Sequence, residues 1–422
     1  MSRRRSPDPA AAVTDPAAPL PDGPARARRT GAAPSLRIVP DVPALADPDA
    51  DADAAAVAAF RRAAVAENTR LTYATGWRQF DTWCTDRGRD PLPASPDTVT
   101  RFAGWQARRR DAEGGYAVKA STITTWCAAI GAVHAEHGYT DPAADPAVRE
   151  TLRGIRRERR KAREPLDRAA PLMTADLTRI VTAIAADAHT WREQMAAARD
   201  IALLVVMFAG STRRGEALGI QVRDLHIDTG TAGDYIDVEL HGTKTNAEGI
   251  DHFILTRGTL PMLCPWCVLM RWLTLLADYD TAHARGGPRA GKIAVQQRLR
   301  ADPGPLADHH RCDRALPRFP ATTVAVFRAL GRAGLPAATT PMTGQALGQM
   351  IHTRARQAGY PPEQAAKFRG HSARAGATTQ ALDNGATYRE VMNMTRHRQV
   401  DTVRKYDRAP IDTANATRHL GL

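Results

Sequence analysis

The sequence predicts a mainly α protein with a small β-sheet, an α+β chain in two folded parts. Three observations carry that expectation. Apolar residues recur at helical spacing in the first part, as at Tyr73, Trp77, Phe80 and Cys84. The longest apolar run, residues 201–209 (IALLVVMFA), is about half the ~20 residues a bilayer-spanning helix needs, so it reads as a buried core helix. The spacing then switches to alternation over residues 235–241 (YIDVELH). A polar turn at 243–249 and a second apolar stretch at 251–255 follow, the pattern of a β-hairpin or the edge of a small sheet.

Residues 1–55 are dominated by Pro, Ala, Asp and Arg, with almost no aromatic or periodic apolar content. Such a segment buries too little surface to offset its ordering entropy and is expected to be disordered. Residues 56–160 are expected to form a helical domain. Ser95-Pro96-Asp97 has the form of an N-cap with proline in the first turn. Ile123, Cys127, Ile130 and His134 mark a further helix, and Val148, Leu152 and Ile155 another. RRERRKAREP (156–165) reads as a frayed helix end running into a basic linker, 161–171.

A second domain is expected over 172–412, opening with Thr174 as a cap before Leu177, Ile180 and Ile184. Residues 286–318, rich in Gly, Pro, Arg and Ala, read as a flexible surface insertion. Helices are expected to resume near Thr322, Thr343 and His371. The tail, 413–422, follows Ile411 and continues with Ala414, Ala416 and Leu420, a weak amphipathic pattern.

The 422-residue chain carries a net charge of +13, which favours phosphate backbones or other anionic partners. Only six of the 58 basic residues are lysine. The N-terminal MSRRRSPDP has charge without an apolar stretch, unlike a signal peptide. Five cysteines, odd and sparse, fit a reducing cytoplasm rather than a disulfide framework. No membrane partner is expected.

Two local spacings bear on chemistry. Arg213 and Glu216, and His371 and Arg374, each stand three apart, which puts both side chains on one helix face. Guanidinium and imidazole donors converging on one anion would suit phosphate oxygens. Taken singly, each has a plainer explanation: an intrahelical ion pair, a chance pair in an arginine-rich chain, a solvated hairpin lysine at Lys244, a packing tyrosine at Tyr406.

The ordered set is more specific. FAGSTRRGEAL (208–218), GTKT (242–245), GHSARAGATT (370–379) and RHRQVDTVRKY (396–406) follow one another in the order of the tyrosine recombinase, or phage integrase, family, and the chain resembles that family over about 56–412. Departures include Arg396 where a glycine is usual and Gln399 where a small hydroxyl residue is common.

The resemblance implies a helical core-binding domain and a catalytic domain forming a C-shaped clamp on double-stranded DNA, acting as a homo-tetramer on two sites. It implies Tyr406 as nucleophile, leaving a 3′-phosphotyrosine and a free 5′-hydroxyl. Lys244 would be the general acid for the leaving oxygen. Arg213 and Arg374 would clamp the non-bridging oxygens, His371 would assist proton transfer, and His397 would bond a non-bridging oxygen. No cofactor and no metal is implied. The basic run Arg156, Arg157, Arg159, Arg160 and Lys161 would follow the DNA backbone.

Cys264-Pro-Trp-Cys267 has the C-x2-C spacing of half a zinc site, with His309, His310 and Cys312 as possible partners. The second half is loose, and Trp266, Leu269 and Trp272 fit a buried helix start, so the sequence favours a structural reading without metal. The alternatives are a type IB topoisomerase-like or telomere-resolving enzyme with the same chemistry, and a non-catalytic DNA-binding relative. The intact six-residue set disfavours the non-catalytic relative.

Overall fold

The computed structural model describes residues 50–63, 65, 67–164, 169–230, 233–243, 246–302, 304, 310, 312 and 316–407. The chain divides into two compact units between Glu164 and Pro165. The stretch 1–49, Lys244 and the tail beyond 407 lie outside the described residues.

The first unit holds α1 (Ala50–Ala63), α2 (Glu67–Thr85), α3 (Pro96–Arg108), α4 (Ala120–Glu136) and α5 (Pro146–Lys161). Its core is the stripe the periodicity marks: Phe80, Trp83 and Cys84 from α2 meet Val99 and Phe102 from α3, Ile123, Cys127 and Ile130 from α4, and Val148 and Leu152 from α5. The Ser95 hydroxyl accepts from the Thr98 amide at 3.2 Å, and the Asp145 carboxylate from the Ala147 amide at 2.8 Å, with proline next to each cap. His134 is buried. Its Nδ1 bonds the Ile130 carbonyl at 2.8 Å, and its Nε2 accepts from the Ala94 amide at 2.8 Å.

Two expectations here are corrected. Residues 50–55, expected to be disordered, begin α1. This run is alanine-rich with Asp51 and Asp53 in the first turn, so helix propensity and the helix dipole support it without a core. The segment 156–161 is regular helix to Lys161, capped at Ala162.

The second unit starts with α6 (Thr174–Ala186), α7 (Trp191–Ala209) and α8 (Arg214–Gly219). The 201–207 stretch of α7 is buried throughout, as its composition requires. β1 (Leu225–Gly230), β2 (Gly233–Thr243) and β3 (Asn246–Thr256) form an antiparallel sheet in the order β1-β2-β3. Ile236 faces Ile227 on one side and Leu255 on the other, and Val238 faces Phe253, so one sheet face joins the core.

α9 (Pro265–Ala301) follows, broken at Gly286 and at Gly287, whose φ is +69°. The expected flexible insertion is thus helical in its first half. Beyond the break, Val295 and Leu299 are buried, and Arg298 bonds Asp278 at 2.5 Å. A Cβ at Gly291 would lie 2.7 Å from the Tyr279 ring, so this glycine allows the two arms to meet closely. The glycines that suggested a loop serve a turn and a close packing contact.

The helix expected near Thr322 is replaced by a hairpin, β4 (Arg328–Leu330) with β5 (Pro336–Pro341). Arg328 is buried there. It forks onto Asp280 at 2.8 and 2.9 Å and donates to the Ala337 and Ala338 carbonyls. The chain ends in α10 (Gly344–Gln357), α11 (Pro362–Ala365), α12 (Ser372–Asp383), α13 (Tyr388–Thr395) and α14 (Val400–Arg404). α12 lies so close to residue 172 that a Cβ at Gly376 would sit 1.7 Å from the Leu172 carbonyl oxygen. Among the described residues no helix is long and apolar enough to cross a membrane.

Candidate active site

Five of the six residues singled out for catalysis are described, and they converge where α8, α12 and the α13–α14 turn meet. Arg213 is the N-cap of α8. Its backbone amide donates to the Glu216 carboxylate at 2.8 Å and its guanidinium at 2.5 Å, fixing the side chain across the first turn. Burial alone would raise the Glu216 pKa. The Arg213 amide and guanidinium, with Arg396, hold it below its ordinary value instead.

His371 opens α12, and Arg374 lies one turn in, fully buried. One Arg374 nitrogen donates to the Ser211 carbonyl at 2.6 Å. The other meets the Thr395 carbonyl and donates to His397 Nε2, 2.9 Å away. Its Nε–H is buried without a partner among the described residues. Burial lowers the guanidinium pKa to about 10, with the Arg213 charge acting the same way.

Thr395 Oγ1 donates to the Val391 carbonyl at 2.7 Å, which leaves it to accept from His397 Nδ1 at 2.8 Å. This network assigns the proton of His397 to Nδ1 and the lone pair to Nε2. Burial first, then the charges of Arg374 and Arg213, push the His397 pKa down to about 4.

Tyr406 follows α14, anchored by the buried Val403 and by the Thr379 hydroxyl, which donates to the Tyr406 carbonyl at 3.2 Å. Its own hydroxyl lies 2.8 Å from His371 Nε2. The His397 ring stacks alongside, 6.1 Å between centroids. Desolvation, then Arg374 and Arg213, hold the His371 pKa below 6.5, so the ring is an available proton acceptor at neutral pH.

Lys244 lies outside the described residues, between the ends of β2 and β3. The flanking positions are cinched. Asp251 accepts from the Thr243 hydroxyl at 2.5 Å and from the Asn246 amide at 3.2 Å.

Two contributors had no role assigned from the sequence, where Arg396 stood out only as a departure. Arg396 occupies the left-handed region, φ +57°, as the C-cap of α13. Glycine is at home there because it has no Cβ. The arginine is held by bonds to the Gly210, Met394 and Ser211 carbonyls and by Glu216 at 3.3 Å. Asp251 is the second, and no local signal marks it.

The basic run is divided by the helix period. Arg159 turns inward, which corrects its assignment to DNA. It donates to the Ala107 and Val118 carbonyls at 2.9 and 3.3 Å and covers the Tyr116 ring. Val148, Leu152, Ile155 and Arg159 share one helical stripe, a spacing that would have revealed this. Arg156, Arg157, Arg160 and Lys161 are exposed, Lys161 pairing with Glu158.

A tyrosine hydroxyl on an imidazole, beside one buried and one half-buried guanidinium, defines a site for nucleophilic attack at an anionic centre. No protein-family model matches the chain. The integrase/recombinase XerD homologue of Selenomonas ruminantium is 26% identical over 347 residues, 81% of this chain and 81% of that protein. XerH site-specific recombinase bound to palindromic difH substrate is 12% identical with a TM-score of 0.46, over 80% of this chain and 75% of that one. The Tn1549 transposon integrase in complex with a circular intermediate DNA is 15% identical with a TM-score of 0.44, over 86% and 97%. The chain is thus similar to an integrase/recombinase over four fifths of its length, and its ordered boxes resemble those of the tyrosine recombinase family.

Proposed function

We propose that this protein is a site-specific DNA recombinase that cuts and rejoins double-stranded DNA through a 3′-phosphotyrosine. The observation that carries the reading is the 2.8 Å contact of Tyr406 Oη with His371 Nε2, beside the buried Arg374. Tyr406 Oη attacks the scissile phosphorus while its proton passes to His371. The P–O5′ bond breaks, and Lys244 protonates the departing O5′. Arg213 and Arg374 face the non-bridging oxygens and stabilise the charge that grows on them in the transition state. His397, whose Nε2 lone pair accepts from Arg374, positions that guanidinium rather than donating to the phosphate itself. The unpartnered Nε–H of Arg374 supports that role, since a phosphate oxygen would satisfy it. Rejoining is the reverse, with a 5′-hydroxyl attacking the phosphotyrosine.

Arg156, Arg157, Arg160 and Lys161 track the DNA backbone by charge, without reading sequence. The working assembly is a homo-tetramer on two DNA sites, on the nucleoid in the cytoplasm. The test is a nicked suicide duplex carrying the protein's own genomic junction. A covalent complex should appear on a denaturing gel and vanish in Tyr406→Phe. A complex that persists in that variant overturns the nucleophile assignment.

A further inference from the structure

We propose that Cys264, Cys267, His310 and Cys312 bind one zinc ion as a closed structural site. Their ligand atoms all lie within 4.8 Å of one another. The Cys267 and Cys312 sulfurs are 3.4 Å apart, and those of Cys264 and Cys312 3.7 Å. His310 Nδ1 is 3.5 Å from the Cys267 sulfur and 3.4 Å from that of Cys312. A tetrahedral zinc with bonds of about 2.3 Å to sulfur and about 2.05 Å to nitrogen requires edges of about 3.8 Å between sulfurs and about 3.6 Å from sulfur to nitrogen. These four separations lie within about 0.4 Å of the required edges. A disulfide would bring two sulfurs to about 2.05 Å, and all five cysteines are free.

The surroundings orient the ligands as a metal site requires. The other ring nitrogen of His310 donates to the Thr259 carbonyl at 3.3 Å, which turns the Nδ1 lone pair toward the sulfurs. The Gly258 amide donates to the Cys264 sulfur at 3.3 Å. A Cβ on that glycine would lie 2.9 Å from the Cys264 Cα, so glycine permits the approach. Cys264 and Cys312 are buried and Cys267 is half-buried. Four protein ligands leave no open position, so the ion serves structure and not chemistry.

Cys264 caps α9, Cys267 lies in its first turn, and Gly258 and Thr259 follow β3. The ion would tie the segment around His310 and Cys312 to the root of β3 and to the start of α9. The return arm of α9 is already held by Arg271 on Asp302 at 2.6 Å. Zinc would close this loop where the two arms end.

The test is the zinc content of the full chain purified without chelator, by mass spectrometry. One equivalent per chain is expected. It should be lost in Cys267→Ser and in Cys312→Ser and kept in Cys84→Ala, whose thiol lies in the other unit. Should the serine variants fail to fold, wild type stripped of metal is titrated with Co2+. Tetrahedral d–d bands and a thiolate charge-transfer band at one equivalent support the site. Absence of zinc together with no cobalt bands from the reduced protein overturns it, as does a disulfide among the three cysteines in non-reducing peptide maps. Strand cleavage is read separately, so either proposal can fail alone.

Discussion

Arg396 reaches from a left-handed turn to the carboxylate of Glu216, which also holds Arg213. One carboxylate therefore fixes two arginines, one of them at a backbone position that disfavours a side chain. Arg396→Ala would lose the buried partner and keep the strained backbone. Arg396→Gly would lose the same bonds and relieve the strain. Both variants should be less stable than wild type, the glycine variant by ~1 kcal/mol less than the alanine one. Urea unfolding curves decide this, and an alanine variant equal to or better than glycine contradicts it.

In the proposed mechanism His371 acts through its neutral form. Because its pKa is held below 6.5, the cleavage rate should stay flat through neutral pH, with its acid limb below 6.5. His371→Ala should slow cleavage by about 10²–10⁴-fold and remove that limb. Single-turnover rates on the suicide duplex from pH 5 to 8 measure both. A limb that survives in His371→Ala assigns the titration elsewhere.

His397 links the fold to pH. Its folded pKa of about 4 lies below the ordinary value of 6.5, so folding favours the neutral ring. That contribution is complete above about 6.5 and is lost as pH falls toward about 4. Wild type should lose stability across this window more steeply than His397→Gln, which keeps a neutral polar side chain. Thermal melts of both proteins at matched pH values give the difference, and parallel curves refute it.

Asp251 holds both residues that flank the Lys244–Thr245 turn. Lys244→Ala should reduce cleavage by about 10²–10⁴-fold, the range for a lost general acid. A substrate with sulfur in place of the 5′-bridging oxygen needs no such acid and should restore the rate. Asp251→Ala should show a smaller loss with the same rescue. If the sulfur substrate rescues neither variant, the acid role is wrong.

Arg159 and its neighbours should separate in experiment. Arg159→Ala removes bonds to two carbonyls and a ring contact, and should destabilise the helical unit by about 2–4 kcal/mol. Arg157→Ala and Arg160→Ala should leave stability nearly unchanged and weaken DNA binding. Each should reduce the slope of log affinity against log salt by about 1. Equal melting temperatures for all three variants would show that Arg159 is not a core residue.

The clustering of the candidate set was legible because the proposed chemistry fixes both residue type and spacing. His371, Arg374, His397 and Tyr406 stand at intervals that two helix starts and one turn convert into a cluster. Arg159 was misread because a run of like charges says nothing about facing, whereas its register with Leu152 does. The return arm of α9 was hidden by Gly286, Gly287 and Gly291, whose roles in turn and packing appear only when Tyr279 is in place. Arg396 stood out only as a departure from the usual glycine, and its partners Gly210, Ser211 and Glu216 lie too far off in sequence to be read; Asp251 left no local trace. The zinc reading with Cys312 was disfavoured because the His309–Cys312 half is loose in spacing and Trp266, Leu269 and Trp272 fit a buried helix start, and only the fold brings Cys312 to Cys264 and Cys267.

The bond between His371 and Tyr406 lies within a single polypeptide. On the proposed roles, each copy would hold its attacking group and the acceptor of its proton in cis. In any assembly on DNA, a neighbour's influence would then fall on how long the segment bearing Tyr406 stays docked. The number of cutting centres would equal the number of copies.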